Sequence, residues 1–307
     1  MSIAVDAYDI TKTFGAVKAL DSITFEAPRA AITGFIGPDG SGKTTLFRIA
    51  ATLLVPDTGN MKIFGHDTVS DYKALRKITG YMPGRFSLYQ DLTVEENLKF
   101  YATVFGTTIE ENYHLIREIY SHIEPFRKRL AGRLSGGMKQ KLALSCALIH
   151  KPALLILDEP TTGVDAVSRR EFWETLAMLK NNDITILVST PYMDEAVKCD
   201  RIYLTQEGHI LEGGDPSAIV SRFRGKIWHA TAGDKLTLLR TLRQYKLTVS
   251  AEPFGGSVHV TFKDDPERAD LESFLKQKGI DDFSMVAANP VIEDRFLQLM
   301  SKKSRDE

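Results

Sequence analysis

Apolar and polar positions alternate at the start of the chain, in Ile3-Ala4-Val5 and again in Ile23-Thr24-Phe25, and this period of two predicts strands. AAITGFIGPDGSGKTTLFRIAATLL then reads as a short apolar strand, a glycine-rich loop and a helix. Residues 90–150 are predicted to be mainly helical, most clearly at 94–105 and 113–123. A strand at 153–157 leads into a helix at 168–180, and a strand at 184–189 into a further helix. RIYLTQEGHILEGG follows as a hairpin. Strands alternating with helices predict a largely parallel α/β core with a helical insertion. Near residue 225 the rhythm changes. Residues 227–230 read as a strand, and 235–245 as a helix with Leu236, Leu239 and Leu242 on one side. Val258, Val260 and Phe262 alternate as in a half-buried strand, while Leu271, Phe274 and Leu275 have helical spacing. The expected organisation is a main domain at 1–223 and a small α+β domain at 224–307.

Composition narrows the function classes. The 307 residues are 43% hydrophobic and 26% charged with a net charge of -1, so no bulk field draws the chain to nucleic acid, and no nucleic-acid partner is expected. The most basic run, Arg127-Lys128-Arg129 with Arg133 nearby, reads as a solvated face. Cys146 and Cys199, both in segments that read as helix, lack any CxxC or Cys/His ligand spacing, and the seven histidines show none either. A reducing, cytoplasmic setting fits, with no N-terminal signal pattern. The longest apolar runs, such as 153–157, are far shorter than the ~20 residues of a membrane helix.

Three motifs carry chemistry. Gly37-Pro38-Asp39-Gly40-Ser41-Gly42-Lys43-Thr44, followed by Thr45, fits GxxxxGK[ST] between a strand and a helix. Its glycines let backbone N–H groups turn inward around phosphate oxygens, and the helix adds its positive end. Lys43 is the expected partner of the β- and γ-phosphates, and Thr44 of Mg²⁺. Leu154 to Leu157 lead into Asp158 and Glu159, and packing alone gives a buried strand no reason to end in two acids. Beside a phosphate loop, Asp158 suits Mg²⁺ and Glu159 suits a general base for water. In LSGGMKQ, Ser135 is a natural N-cap, and Gly136 and Gly137 expose N–H groups at a positive helix end, a second phosphate-sized anion site.

In their order and spacing, GPDGSGKT, LSGGMKQ and LLILDEP resemble the nucleotide-binding subunit of an ABC transporter over roughly residues 3–220, and the closest likeness is to ATPase subunits of ABC-2 type exporters. The resemblance implies a P-loop NTPase fold, use of ATP and Mg²⁺, and two cassettes closing head-to-tail, so that Ser135 to Gly137 act in trans on the partner's nucleotide. It implies that Phe14 stacks on adenine, against the alternative of a core phenylalanine, and that Asp165 contacts the second cassette. It further implies attachment to the cytoplasmic face of a membrane through a separate permease subunit, with residues 86–92 as the docking surface against the alternative of core.

Two positions depart from the family pattern. Gly84, in GYMPGRFSLY, stands where the family carries a glutamine, and Pro191, in STPYMDEA, where it carries a histidine that reads the γ-phosphate. Proline lacks even a backbone N–H. The expectation is slow turnover at the chain's own site, and a heterodimer is favoured over a homodimer because an intact signature is what a competent partner needs. A nucleotide-sensing regulatory cassette and a soluble ABC protein outside transport are the competing readings.

Overall fold

The computed structural model describes residues 2–85 and 87–306, with side chains to 301. The chain divides into two compact units, Met1–Pro216 and Ser217–Glu307, where the sequence suggests 223/224.

The first unit opens with a long hairpin, β1 (Ile3–Phe14) and β2 (Val17–Pro28), which joins β4 (Thr58–Ile63) and β5 (His66–Asp67) in an antiparallel sheet ordered β2-β1-β4-β5. The main sheet contains β3 (Ile32–Ile36), β6 (Thr79–Met82), β7 (Leu154–Asp158), β8 (Thr185–Thr190), β9 (Arg201–Gln206) and β10 (His209–Gly214), in the order β10-β9-β3-β8-β7-β6. All its pairings are parallel except the closing β9-β10 hairpin. Glu207 and Gly208 both hold positive φ (47° and 77°) at the tip of that hairpin, as a two-residue primed turn requires. Every residue of β3, β7 and β8 is buried, as expected of parallel strands covered on both faces.

Helices α1 (Lys43–Ala50), α2 (Tyr72–Ile78) and α6 (Ala166–Asn181) accompany this sheet, and α3 (Val94–Val104), α4 (Ile109–Tyr120) and α5 (Gly136–Leu148) form the helical insertion. The α4 helix begins four residues before the expected 113, because Thr108 and Glu111 make a capping box that apolar spacing alone does not reveal. After β8 the segment Met193–Lys198 is a 3₁₀ turn, and Cys199 follows it in extended conformation instead of lying in a helix. Both cysteines are free and buried, and burial pushes both thiols well above their ordinary range. Among the described residues, no helix is long and apolar enough to cross a membrane.

The second unit begins with α7 (Pro216–Ser221) and continues β11 (Ile227–Thr231), α8 (Lys235–Leu242), β12 (Thr248–Phe254), β13 (Ser257–Phe262), α9 (Arg268–Gln277), β14 (Ser284–Ala288) and α10 (Ile292–Asp306). Its antiparallel sheet runs β12-β13-β11-β14. Leu238, Leu239, Leu242, Leu271 and Leu275 pack from α8 and α9 against Val258, Val260 and Phe262. Leu236 lies outside this stripe and is exposed: it stands in the first turn, where Asp234 caps α8 by accepting from its N–H, and Leu238 takes the inward position. β13 is buried along its whole length, not half-buried as its alternation predicts. Its other face, Ser257, His259 and Thr261, is covered too, with His259 hydrogen-bonded to Asp294 of α10.

Candidate functional site

The central strand β3 delivers Gly37 to the mouth of the main sheet, where its N–H meets the Thr190 carbonyl. A Cβ at Gly37 would lie 2.1 Å from the Thr205 carbonyl oxygen, so only glycine lets the loop pass here. Gly42, at φ 97°, caps α1 with backbone alone, which leaves the first N–H groups of α1 facing the loop. Ser41 Oγ meets Thr205 Oγ1 at 3.2 Å and braces the loop from below.

Lys43 is buried within this loop. Its ammonium donates to the carbonyls of Gly37 (2.8 Å) and Pro38 (2.9 Å) and lies 3.4 Å from Glu159 Oε1. Asp158 ends β7, and Glu159 turns the chain out of the strand at φ 48°. A serine that sequence reading passes over holds both acids in place. Ser189 Oγ donates to Asp158 Oδ1 at 2.7 Å and accepts from the Glu159 N–H at 2.9 Å. Ser189 is a polar residue inside an apolar strand, and that is the signal that marks it.

Asp39 to Thr45, Asp158, Glu159 and Gly84 line one open cleft of about 960 Å³. Val17, Lys18, Ala19, Arg48, Tyr81, Pro83, Arg85 and Glu207 complete its walls, none of them nominated by the motifs. Burial, then the charge of Asp158, pushes the Tyr81 phenol up to about 12, so it stays a neutral donor. Phe14 is 49% exposed at the hairpin tip opposite Val17 and is no core residue, but it stands outside the lining of the cleft.

Gly84 packs on the exit of β7, where a Cβ would lie 3.1 Å from the Asp158 carbonyl oxygen. Pro191 follows β8 half-buried and is no part of the cleft lining. The chain after it is anchored by Glu195, a buried carboxylate that accepts from Thr190 Oγ1 (2.6 Å) and Thr161 Oγ1 (3.0 Å), with Arg169 Nε at 3.8 Å.

The remaining predicted residues do not line the cleft, although Gly136 shares a smaller cavity of about 160 Å³ with Gly84 and Glu159. Ser135 caps α5, accepting from the Met138 N–H at 3.4 Å, and Ser135 and Gly136 are exposed. Asp165 caps α6 by accepting from the N–H groups of Val167 and Ser168, and these bonds, that of Ser168 foremost, hold its carboxyl below the usual range. Phe86 of the expected docking segment lies outside the described residues. Leu88 of that segment is buried in the wall of an apolar groove of about 390 Å³, with Met82, Tyr101, Phe105 and His150.

Comparison with known proteins gives the arrangement its place. The family model described as ABC transporter matches residues 20–162. The Nod factor export ATP-binding protein I of Rhizobium sp. strain N33 is 30% identical over 305 residues, covering 98% of each chain. The chain belongs to the ABC transporter ATP-binding family. The probable multidrug ABC transporter ATP-binding protein YbhF of Escherichia coli K12 is 39% identical over 88% of this chain, which spans 47% of that protein's length. A solved ATP-binding subunit of an ABC transporter superposes with a TM-score of 0.65 at 26% identity, covering 72% of this chain and 93% of its own. A nucleotide-free ATP-binding cassette from an ABC transporter gives 0.61 at 25% identity, with 70% and 92% covered. The P-loop NTPase fold expected from sequence is that of these ABC cassettes, and the family is one of ATPases.

Proposed function

We propose that this chain is the ATP-binding subunit of an exporter, which binds Mg·ATP, closes on it with a second cassette and hydrolyses it to drive a separate membrane-spanning permease. The observation that carries this reading is the convergence, in one cleft, of a glycine-made phosphate cradle with Lys43 and Glu159 only 3.4 Å apart. When phosphate oxygens take the place of the Gly37 and Pro38 carbonyls around Lys43, the ammonium holds the β- and γ-phosphates and releases Glu159. Glu159 then accepts the proton of the attacking water. The Thr44 hydroxyl and Asp158, the latter oriented by Ser189, form an oxygen donor set that suits Mg²⁺. That ion supplies neutralisation of charge on the transferred phosphoryl group. Phe14 is exposed and free to stack on the adenine, and Asp165 to meet the second cassette. The permease docks a helix in the apolar groove beside Leu88, which holds this chain at the cytoplasmic face of the membrane.

In the same reading the chain's own site turns over slowly. A positioned polar or acid/base group contributes roughly 10²–10⁴ in rate, and Gly84 and Pro191 provide none at the two switch positions. Ser135 to Gly137 remain intact for a partner's nucleotide, which favours a heterodimer with one competent composite site.

The test is the Mg·ATP turnover of the purified chain beside Glu159→Gln and a Gly84→Gln/Pro191→His double variant. A glutamine at 84 needs only a small shift at the Asp158 carbonyl. The expected result is a slow natural chain and a rise of about tenfold or more in the double variant, ~1.4 kcal/mol off the barrier. A natural chain that is already fast and is abolished by Glu159→Gln overturns the slow-site reading and favours a homodimeric exporter ATPase.

A further inference from the structure

The second unit carries a cavity that neither the nucleotide chemistry nor the family comparison assigns. It lies between the sheet and α10, measures about 540 Å³, and is lined entirely by residues of that unit. Small-molecule sites span about 300–1,000 Å³, mostly apolar with a few fixed polar groups. This one has that size but a more polar wall: Phe223, Leu297 and Met300 form an apolar part, and Arg224, His259 and Gln298 belong to a larger polar part.

The polar groups are held in position. His259 and Asp294 are each 7% exposed, and Nδ1 of the imidazole lies 2.8 Å from Asp294 Oδ1. Asp294 Oδ2 also accepts from the Val291 N–H, so the carboxylate is fixed at the start of α10. The Phe254 ring stacks on the imidazole at 3.8 Å. Pairing of Nδ1–H with the carboxylate leaves the Nε2 lone pair as a hydrogen-bond acceptor on the cavity wall. Nε2 makes no hydrogen bond among the described residues and is not sealed from solvent. A purely structural clamp between β13 and α10 uses only Nδ1.

Arg224 supplies the charge. The Gln298 amide grips its backbone twice, accepting from its N–H (3.2 Å) and donating to its carbonyl (2.7 Å). The guanidinium itself has no partner among the described residues, whereas Arg243 in the same wall is committed to Glu252 and the Ala251 carbonyl. Of the two acids of the wall, Glu252 is paired with Arg243 and Asp294 is hydrogen-bonded by His259 and the Val291 N–H, which leaves Arg224 as the uncommitted charge.

We propose that this cavity is a binding site for a small carboxylate with an apolar tail, its carboxylate held by Arg224 and its tail against Phe223, Leu297 and Met300. Octanoate is the probe, titrated calorimetrically into the full chain, with octanamide as its uncharged match. Octanoate is expected to bind one site, and octanamide and Arg224→Ala each to weaken binding by about tenfold, the loss of one charge-assisted hydrogen bond. Leu297→Trp, which fills the cavity, is expected to abolish it. Unchanged far-UV circular dichroism and urea unfolding of each variant show that the second unit has folded, and variants that lose that signal are replaced by Met300→Phe. No octanoate binding, equal binding of octanamide, or binding indifferent to both substitutions, as at the apolar groove of the first unit, overturns the proposal.

Discussion

Ser189 and Gly37 show how little tolerance the nucleotide cleft has at single positions. The Ser189 hydroxyl satisfies the Asp158 carboxylate and the Glu159 N–H together. Ser189→Ala leaves a buried acceptor and a buried donor unpaired, a cost of about 1–3 kcal/mol. We expect urea unfolding to show that loss, and Mg·ATP turnover to fall further than ATP binding, because both acids lose their orientation. Gly37→Ala acts by volume. Its methyl meets the Thr205 carbonyl at 2.1 Å, so the loop must move or the sheet must strain, at about 1–3 kcal/mol. The expected outcome is a lowered melting temperature together with lost ATP binding. Retention of native ATP affinity by Gly37→Ala would contradict the close approach of the loop to β9. The glycine was legible from the motif GxxxxGK[ST]; Ser189 was not, because its partners come from the end of β7 and the residue after it, 31 and 30 positions away in sequence.

At the scale of elements, His150 couples the end of the helical insertion to the main sheet. It follows α5, stacks on Phe105 at 3.7 Å and meets the Thr79 carbonyl through Nε2 at 3.2 Å, while Nδ1 is buried without a partner. Burial lowers its pKa from 6.5 to about 4. Above pH 6.5 the imidazole is neutral whether the chain is folded or not, and its burial costs nothing in protonation. As pH falls from 6.5 toward 4, the unfolded chain takes up a proton that the folded one refuses, and stability drops by up to about 3 kcal/mol. Urea unfolding at pH 7.5, 5.5 and 4.5 should show that slope, and His150→Gln should flatten it; an identical slope in both proteins removes His150 as its source. Periodicity had marked the segments on either side, 94–105 and 153–157, but the stack depends on how α3 folds back, which no local pattern records. The same limit explains β13. Alternating Val258, Val260 and Phe262 announce one buried face, and only the later placement of α10 over His259 and Thr261 buries the other. A Gly-rich loop or a capping box writes the boundary into adjacent residues, as at Thr93–Glu96 before α3, although apolar spacing alone passed over the equally local box at Thr108–Glu111; where a distant element writes the boundary, no local pattern holds it.

For the whole molecule, the informative fact is that one chain keeps its phosphate cradle and its signature in separate places. Ser135 and Gly136 are exposed and absent from the lining of the cleft that holds Lys43, and Gly136 meets Gly84 and Glu159 only across a smaller cavity of about 160 Å³. In the head-to-tail pair proposed above they face the partner's nucleotide. The two substitutions Glu159→Gln and Ser135→Arg therefore probe different sites of the same assembly. If the assembly is a heterodimer whose partner carries complete switch residues, the competent site consists of the partner's loop and this chain's signature. Ser135→Arg then places bulk and excess charge against that nucleotide and should lower turnover of the purified exporter by roughly 10² or more, the scale of losing a preorganised anion-binding group. Glu159→Gln touches only the slow site, so it should leave most of the turnover intact. A homodimer predicts the opposite relation, since each substitution then damages both sites and the two losses become comparable. Measuring both variants in the reconstituted complex, alongside the count of distinct cassettes it contains, separates the two assemblies: equal, near-complete losses in a complex holding only this cassette would refute the heterodimer.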